Sequence, residues 1–440
     1  MTPETMAKKS TTYYVCDSCG HESLKWAGQC PNCKGWNTFK ELKIDESSST
    51  GASSSRKTEP AKTYSYDDID DKLLKRIDVA SPLVSEVLGG GIVRGSILLF
   101  GGNPGVGKST LLLSLVNKIN NNCIYICGEE SLHQVKDRAS RLGHRNDNLK
   151  YLSETNIDII ASTIINQKPD IVVIDSIQTI FNPSYPSTAG SLVQVREAAM
   201  KLQGIAKKND IALLTVGHVT KSGDIAGPKV LEHIVDGVFY IEQESEDIRL
   251  LRVAKNRFGS TQEVALLQIS STGIAEIRNP ESAFLATRDA SLPGSIITAM
   301  VEGSRAILVE VQALVAPTVF GFPRRSAVGI HPQRLELLLA VIEKRAKISL
   351  RNYDVFVKAT AGFAAKEANV DLAIATALVS AFKNKAIDKK YCVFGEVGLL
   401  GEIVYPKDTS LRTKTASGMG YTKTVKSRKL EEALKEIGLR

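Results

Sequence analysis

The feature that most restricts the fold of this chain is Gly102-Asn103-Pro104-Gly105-Val106-Gly107-Lys108-Ser109, with Thr110 following. Its glycine spacing, closed by Lys and Ser, is that of a phosphate-binding loop. The flanks agree. Ile97-Leu98-Leu99-Phe100 reads as a short buried strand, and Leu111, Leu112, Leu113, Leu115 and Val116 begin a helix just after the loop. Glycines let such a loop curl until its N–H groups face a polyphosphate, and the helix N-terminus adds a positive dipole end. Lys108 would neutralise the outer phosphates, and the Ser109 hydroxyl would ligate Mg²⁺. A chain built around this stretch binds a nucleoside triphosphate, with ATP the expected one.

At 440 residues the chain exceeds one compact core, and roughly two or three domains are expected. Hydrophobic and charged contents of 43% and 24% are those of an ordinary soluble protein. No apolar run approaches a membrane span, and Met1–Ser10 has no signal-peptide core, so a cytoplasmic location with no membrane partner is expected. The formal charge of +8 is concentrated. Gly321–Lys358 holds eight Lys or Arg against three Asp or Glu, and Tyr405–Arg440 holds nine against four. That surplus fits either an anionic polymer as partner or a solvated basic surface.

Cys16-Asp17-Ser18-Cys19 and Cys30-Pro31-Asn32-Cys33 are two C-x₂-C pairs ten residues apart. They read as a four-thiolate Zn²⁺ site, closed and therefore structural, with a disulfide pair the weaker alternative. Trp26 and Trp36 flank the second pair. They suit a base-stacking platform or a small core, and the core reading is preferred. The module spans 1–45. Residues 46–62, Ser-rich and almost without large apolar side chains, read as a flexible tether.

From 63 to 278 the apolar pattern is that of alternating strands and helices. Cys123–Cys127 reads as a strand ending in Gly128-Glu129-Glu130, and a helix is expected over Ser131–Arg141. Ile171-Val172-Val173-Ile174 reads as a central parallel strand that delivers Asp175 to hold Mg²⁺ through water. Ile211–Val216 delivers Gly217-His218 to the same crevice, where ligands of open α/β sheets bind. Glu129 is the first choice for polarising the attacking water, with Glu130 in reserve. His218 reads equally as a γ-phosphate sensor or as a satisfied strand-end residue. The loops 181–190 and 219–229 are rich in Gly, Pro and Ser, as functional loops on a rigid scaffold are, and Lys221 and Lys229 suit a phosphate backbone. At Lys255-Asn256-Arg257-Phe258-Gly259 a strand ends in two cations. They are surface charges near a hairpin, or they project into a neighbouring subunit's phosphate site.

The loop from Gly101 to Thr110, the four-cysteine module and Lys-Asn-Arg-Phe-Gly together resemble the bacterial RadA (Sms) family. Its members are RecA-like, DnaB-type ring ATPases of recombinational DNA repair. The resemblance covers essentially the whole chain. It implies an α/β fold with a RecA-like P-loop core, a small N-terminal zinc ribbon and a C-terminal α/β Lon-protease-like domain. It also implies a ring, a hexamer by expectation, with ATP between subunits. On that resemblance Lys108, Ser109 and Asp175 serve ATP and Mg²⁺, Glu129 is the catalytic carboxylate, and Lys255 and Arg257 act in trans. Implied partners are single-stranded and branched DNA, a recombinase and other repair proteins.

Residues 279–440 change pattern. Ser295–Met300 and Ala306–Val315 suggest a hairpin. Helices are expected from about His331 to Arg345 and over Asp371–Phe382. Ala368–Ala377 parallels the Lon stretch that carries the nucleophilic serine. Ungapped, Asn369 falls at the serine position and Ser410 at the lysine position, although a gap brings in Lys407 or Lys414. A Ser–Lys protease cannot work without its hydroxyl, so a non-proteolytic scaffold is expected. Arg324, Arg325, Arg334, Lys344, Arg345 and Lys347 are candidate DNA-backbone contacts, some of which can instead pair with Glu336 and Glu343. The expected activity is DNA-dependent ATP hydrolysis on recombination intermediates, driving branch migration or single-strand translocation. The alternatives are an ATP-dependent Lon-type peptidase and a nucleotide-switched recruitment platform.

Overall fold

A computed structural model describes residues 10–16, 21–45, 63, 65, 76–143, 146–185, 187–218, 228–244, 246–270, 273–279, 285, 289–319, 321–360, 365 and 367–440. Cys19, Lys221 and the tether 46–62 lie outside them, as does the side chain of Lys229. The chain forms two compact units. One comprises Met1–Glu242, Leu251–Thr261 and Ser270–Ile274; the other comprises Gln243–Leu250, Gln262–Ile269 and Ala275–Arg440.

At the N-terminus β1 (Ser10–Cys16) pairs antiparallel with β2 (Glu22–Ser23) and β3 (Phe39–Asp45). Its core is Cys16, Cys30 and Phe39, with Tyr14 and Ala27 packed against them. Trp26 and Trp36, expected in that core, are instead 58% and 71% exposed. Cys16, Cys30 and Phe39 already fill the small interior, so both indole rings stand outside it, close to Gly28.

Strand and helix then alternate. The run is α1 (Pro82–Val87), β4 (Ile97–Gly102), α2 (Lys108–Lys118), β5 (Cys123–Cys127), α3 (Leu132–Arg141), β6 (Leu149–Leu152), α4 (Ile157–Gln167), β7 (Ile171–Asp175), α5 (Leu192–Asn209), β8 (Ala212–Val216), α6 (Pro228–Ile234) and β9 (Gly237–Gln243). Local chemistry sets the helix starts. Ser131 and Gln134 form a reciprocal capping box on α3, Asn156 caps α4 and Ser191 caps α5. The strand order is β9-β4-β8-β7-β5-β6, with the assigned pairs β9/β4, β4/β8, β8/β7, β7/β5 and β5/β6 all parallel. β10 (Ile248–Asn256), β11 (Val264–Ser270) and β12 (Gly273–Glu276) follow in the chain.

Every residue of β7 is buried, which is why its apolar pattern is continuous rather than alternating. Val172 and Ile174 of that strand join Ile124, Ile126, Ile97 and Leu99 in a core with α4 and α5. The loop 181–190 is better anchored than its composition suggests. The fully buried Gln194 amide accepts from Asn182 N at 2.6 Å and donates to the carbonyls of Tyr185 and Ser187 at 2.9 and 3.0 Å.

In the second unit β13 (Ser295–Glu302) and β14 (Arg305–Pro317) form the expected hairpin, in register Glu302 to Arg305. β15 (Arg325–Val328), α7 (Pro332–Ala346), β16 (Tyr353–Ala359), α8 (Asp371–Phe382), β17 (Glu396–Val397), β18 (Ile403–Val404), α9 (Thr409–Gly418) and α10 (Leu430–Glu436) follow. The sheet order is β13-β14-β16-β15. α8 is buried from Asp371 to Ser380, its leucines, valine and isoleucine in one core with Leu335, Leu338, Val341 and Ile342 of α7.

Burial pushes the Asp371 carboxyl up to about 6, against the opposing pull of Arg334, 3.4 Å away. Because the folded-state value lies above the unfolded one, the folded chain holds this proton more tightly. Stability from this group is therefore present below about pH 4 and lost as pH rises to about 6, an effect on the order of 3 kcal/mol. Asp371→Asn should be more thermostable than the wild type at about pH 7, with the difference shrinking towards about pH 4. A difference that does not change with pH in thermal-unfolding scans would contradict the assignment.

Candidate nucleotide and metal sites

Four parallel strands deliver the candidate residues. β4 runs into the phosphate loop, and Gly102 there has φ 151°, with its would-be Cβ only 2.5 Å from the Ile241 carbonyl oxygen. No other residue fits that approach. Gly107, at φ 106°, is the N-cap of α2 and puts no side chain over the first-turn N–H groups. Lys108 opens the helix and is only 4% exposed. Its Nζ donates to the carbonyls of Gly102 and Asn103 at 2.9 and 3.0 Å. Burial holds its pKa below the usual lysine value, while Asp175 and Glu129 pull the other way. Asn103, Pro104, Gly105 and Val106 form the arc between them, and Ser109 and Thr110 complete the first turn of α2.

In the β5–β7 register, Cys127 lies beside Asp175. This pairing sets Gly128-Glu129 next to Asp175-Ser176, and Gly128 N donates to the Asp175 carbonyl at 2.8 Å. Asp175 Oδ1 accepts from Ser109 Oγ at 2.9 Å. Glu129 Oε1 accepts from Ser176 Oγ and lies 2.9 Å from His218 Nε2. The bond from His218 is the largest of the effects that hold the Glu129 pKa low; burial opposes it and Ser176 adds to it. Phe100 of β4 pairs with Val216 of β8, which brings His218 to the same edge. Lys108, Ser109, Glu129, Asp175 and His218 thus converge.

Glu130, the reserve carboxylate, is ion-paired to Arg138 of α3. Lys255 and Arg257 lie elsewhere. Lys255 Nζ donates to the carbonyls of Glu232 and Val235 at the C-terminal end of α6. Arg257 is paired at 3.4 Å with Asp236, whose other oxygen accepts from Ile97 N at 3.1 Å, and its side chain remains 54% exposed. Ile97 begins β4 and Gly102 ends it, so the two ends stand about 16 Å apart.

The sulfurs of Cys16, Cys30 and Cys33 lie within 4.8 Å of one another, with Cys16 and Cys33 at 3.7 Å. That is too long for a disulfide and matches the sulfur spacing of tetrahedral zinc. These three residues would hold Zn²⁺; Cys19, the fourth of the pattern, is outside the described residues. Ser109 and Asp175 offer the hard oxygens that suit Mg²⁺.

In the second unit Asn369 lies in the turn Ala368–Val370 before α8, and its carbonyl accepts from Gly395 N at 2.6 Å. Beside it, Glu367 is tied at 2.7 Å to the buried Arg412 of α9, which also pairs with Asp408 at 2.9 Å. Among the basic candidates Arg325 donates to the Leu350 carbonyl at 2.9 Å and Arg334 to that of Glu367 at 2.5 Å. Glu343 pairs with Arg351 at 2.7 Å. Arg345 donates to the Leu399 carbonyl at 3.3 Å and, like Arg324, Lys344 and Lys347, is exposed. No motif marks out Arg138, Ser176 or Asp236. Tyr125 does carry a signal, since a tyrosine inside the apolar run Cys123–Cys127 has a hydroxyl in need of a partner.

Residues 14–41 match the family described as a rubredoxin metal-binding domain, and residues 66–224 match the AAA domain. The fold and site therefore define a P-loop ATPase of RecA-like α/β type carrying a zinc ribbon. The chain is 44% identical to the DNA repair protein RadA of Listeria monocytogenes, across 94% of this chain and 92% of that protein. It is 43% identical to RadA of Bacillus subtilis, across 95% and 92%, and 42% identical to RadA of Aquifex aeolicus, across 96% and 95%. The chain belongs to the RadA family of DNA repair proteins. Among solved structures, a KaiC-like protein of Pyrococcus horikoshii aligns at 18% identity and a TM-score of 0.39, over 46% of this chain and 99% of that one.

The thiolate cluster predicts zinc in the purified chain, about one ion per chain. Cys30→Ser should lose most of it in a metal analysis while nucleotide binding persists, because the parallel sheet has its own core. Undiminished zinc in the variant would contradict the ligand assignment.

Proposed function

We propose that the chain is a DNA-dependent ATPase that acts on recombination intermediates as a ring oligomer, a hexamer by its family, driving branch migration or single-strand translocation. The observation that carries the reading is the convergence of Lys108, Ser109, Glu129 and Asp175 on one edge of a parallel sheet. Lys108 would leave the loop carbonyls for the outer phosphates of ATP. Glu129, kept ionised by His218 and Ser176, would take up the proton of the attacking water. Mg²⁺, when bound, supplies charge neutralisation between the phosphates. Ser109 and Asp175 are the groups that would hold it.

Arg257 would complete the site in a neighbouring subunit. Its anchor to Asp236, at the opposite end of β4 from its own phosphate loop, supports a role in trans. Lys255, bonded to the end of α6, would steady that turn and reach a neighbour's phosphates only by giving up those bonds. The proposed domains are 1–45, a tether 46–62, an ATPase region 63–278 and a Lon-like region 279–440. DNA would be met by the loop 219–229, with Lys221 and Lys229, and by the exposed Arg324, Lys344 and Lys347. Asn369 carries an amide where the Lon resemblance calls for a nucleophilic hydroxyl, which favours a scaffold over a peptidase. Recombinase and other repair proteins are the proposed protein partners, in the cytoplasm. Among the described residues no helix is long and apolar enough to cross a membrane.

Lys108→Ala should lower ATP hydrolysis by about a hundredfold or more and abolish ATP-driven branch migration of a fluorescent three-strand junction. Mixing Arg257→Ala subunits with Lys108→Ala subunits should restore part of the turnover. Normal turnover in the first variant, or no recovery at any mixing ratio, would refute the site or the trans role respectively.

A further inference from the structure

Asp175 makes a second set of contacts, on the side away from Ser109. Its Oδ2 accepts from the Tyr125 hydroxyl at 2.5 Å. Tyr125 is fully buried in β5, where Ile124 and Ile126 on either side face the core shared with α4 and α5. Strand alternation therefore turns the phenol to the other face. Tyr125 is in register with Val173, and Asp175 lies two residues further along the same face of β7. Burial, and then the Asp175 charge, push the phenol's pKa well up, so it remains a donor at neutral pH. Arg138 Nη1 stands 4.0 Å from the same Oδ2, and the Arg138–Glu130 pair covers that flank. Nη1 has no hydrogen-bond partner among the described residues.

The two oxygens of Asp175 are thereby made unequal. Oδ2 is held by a neutral donor and flanked by a guanidinium, which disfavours a cation on that side. Oδ1 is presented to Ser109 Oγ, 2.9 Å away. Without the phenol, the carboxylate could rotate, and it would have to reorder each time a metal–nucleotide complex arrived.

We propose that Tyr125 is a positioning residue for the Mg²⁺ carboxylate: its hydroxyl fixes Asp175 Oδ2 so that Oδ1 faces Ser109 and the metal–nucleotide complex. The proposal rests on the ATPase reading above. Tyr125 acts only through Asp175.

The test is the Mg²⁺ dependence of binding a fluorescent, non-hydrolysable ATP analogue, followed by the Mg²⁺ dependence of turnover. Tyr125→Phe should raise the Mg²⁺ midpoint of binding about tenfold, the loss expected for one hydrogen bond to a charged group. Its kcat at saturating Mg²⁺ should stay within about twofold of wild type. Binding of the analogue without Mg²⁺ should be unchanged, which also reports that the variant is folded. In an Asp175→Asn background the same substitution should shift the midpoint no further. An unchanged midpoint in Tyr125→Phe, or an equal shift with and without the Asp175 carboxylate, would overturn the proposal. Should Tyr125→Phe bind no analogue at all, comparison of the two Asp175→Asn chains, with and without the phenol, decides it. A wild-type chain that binds the analogue with no dependence on Mg²⁺ would sink the underlying ATPase reading instead.

Discussion

The alignment of β5 with β7 is the constraint from which the candidate nucleotide site follows. With Cys127 beside Asp175, the chain leaving β5 must pass Ser176, and Glu129 and Asp175 become neighbours. A shift of one residue would turn Tyr125 and Asp175 to opposite faces of the sheet and separate the phenol from its carboxylate. The all-apolar run of β7 cannot by itself set that alignment, because every residue in it is buried. The polar groups at its end do so, through Tyr125, Ser109 and Gly128 N.

Charge is divided between the two ends of β4. At the carboxyl end Lys108 is almost fully buried, and two backbone carbonyls compensate its ammonium. A buried cation held by neutral acceptors is poised to exchange them for an anionic ligand. At the amino end Asp236 bonds Ile97 N and holds the backbone and side chain of Arg257. Half of the Arg257 side chain remains open to solvent. One end of the strand can receive phosphate and the other can offer a cation, and the proposed trans role of Arg257 rests on that separation.

Much of this was legible in the residues. The phosphate loop, the strand Ile171–Asp175, the hairpin around Glu302–Arg305 and the helix Asp371–Phe382 all have local signals: glycine spacing, apolar runs or a turn. Helix α3 was readable from Ser131 onward, where a capping residue precedes it. The exposure of Trp26 and Trp36 was not legible, because hydrophobicity alone cannot tell that Cys16, Cys30 and Phe39 fill the small core without them. The hold of Gln194 on the loop 181–190 was equally hidden, since a glutamine in a helix looks like a surface residue until its amide finds four backbone groups. The need of Tyr125 for a partner was legible, but the partner itself, Asp175, depends on a register that no local pattern specifies. The use of Lys255 to bind the end of α6 likewise joins segments twenty residues apart.

The most direct measurement is the steady-state ATPase rate of the full chain, titrated with single-stranded DNA at fixed ATP and Mg²⁺. Turnover that rises with DNA and saturates, with the half-saturation point moving to higher DNA concentration as salt is added, is the expected result. A rate indifferent to DNA at every salt concentration would contradict a DNA-dependent ATPase.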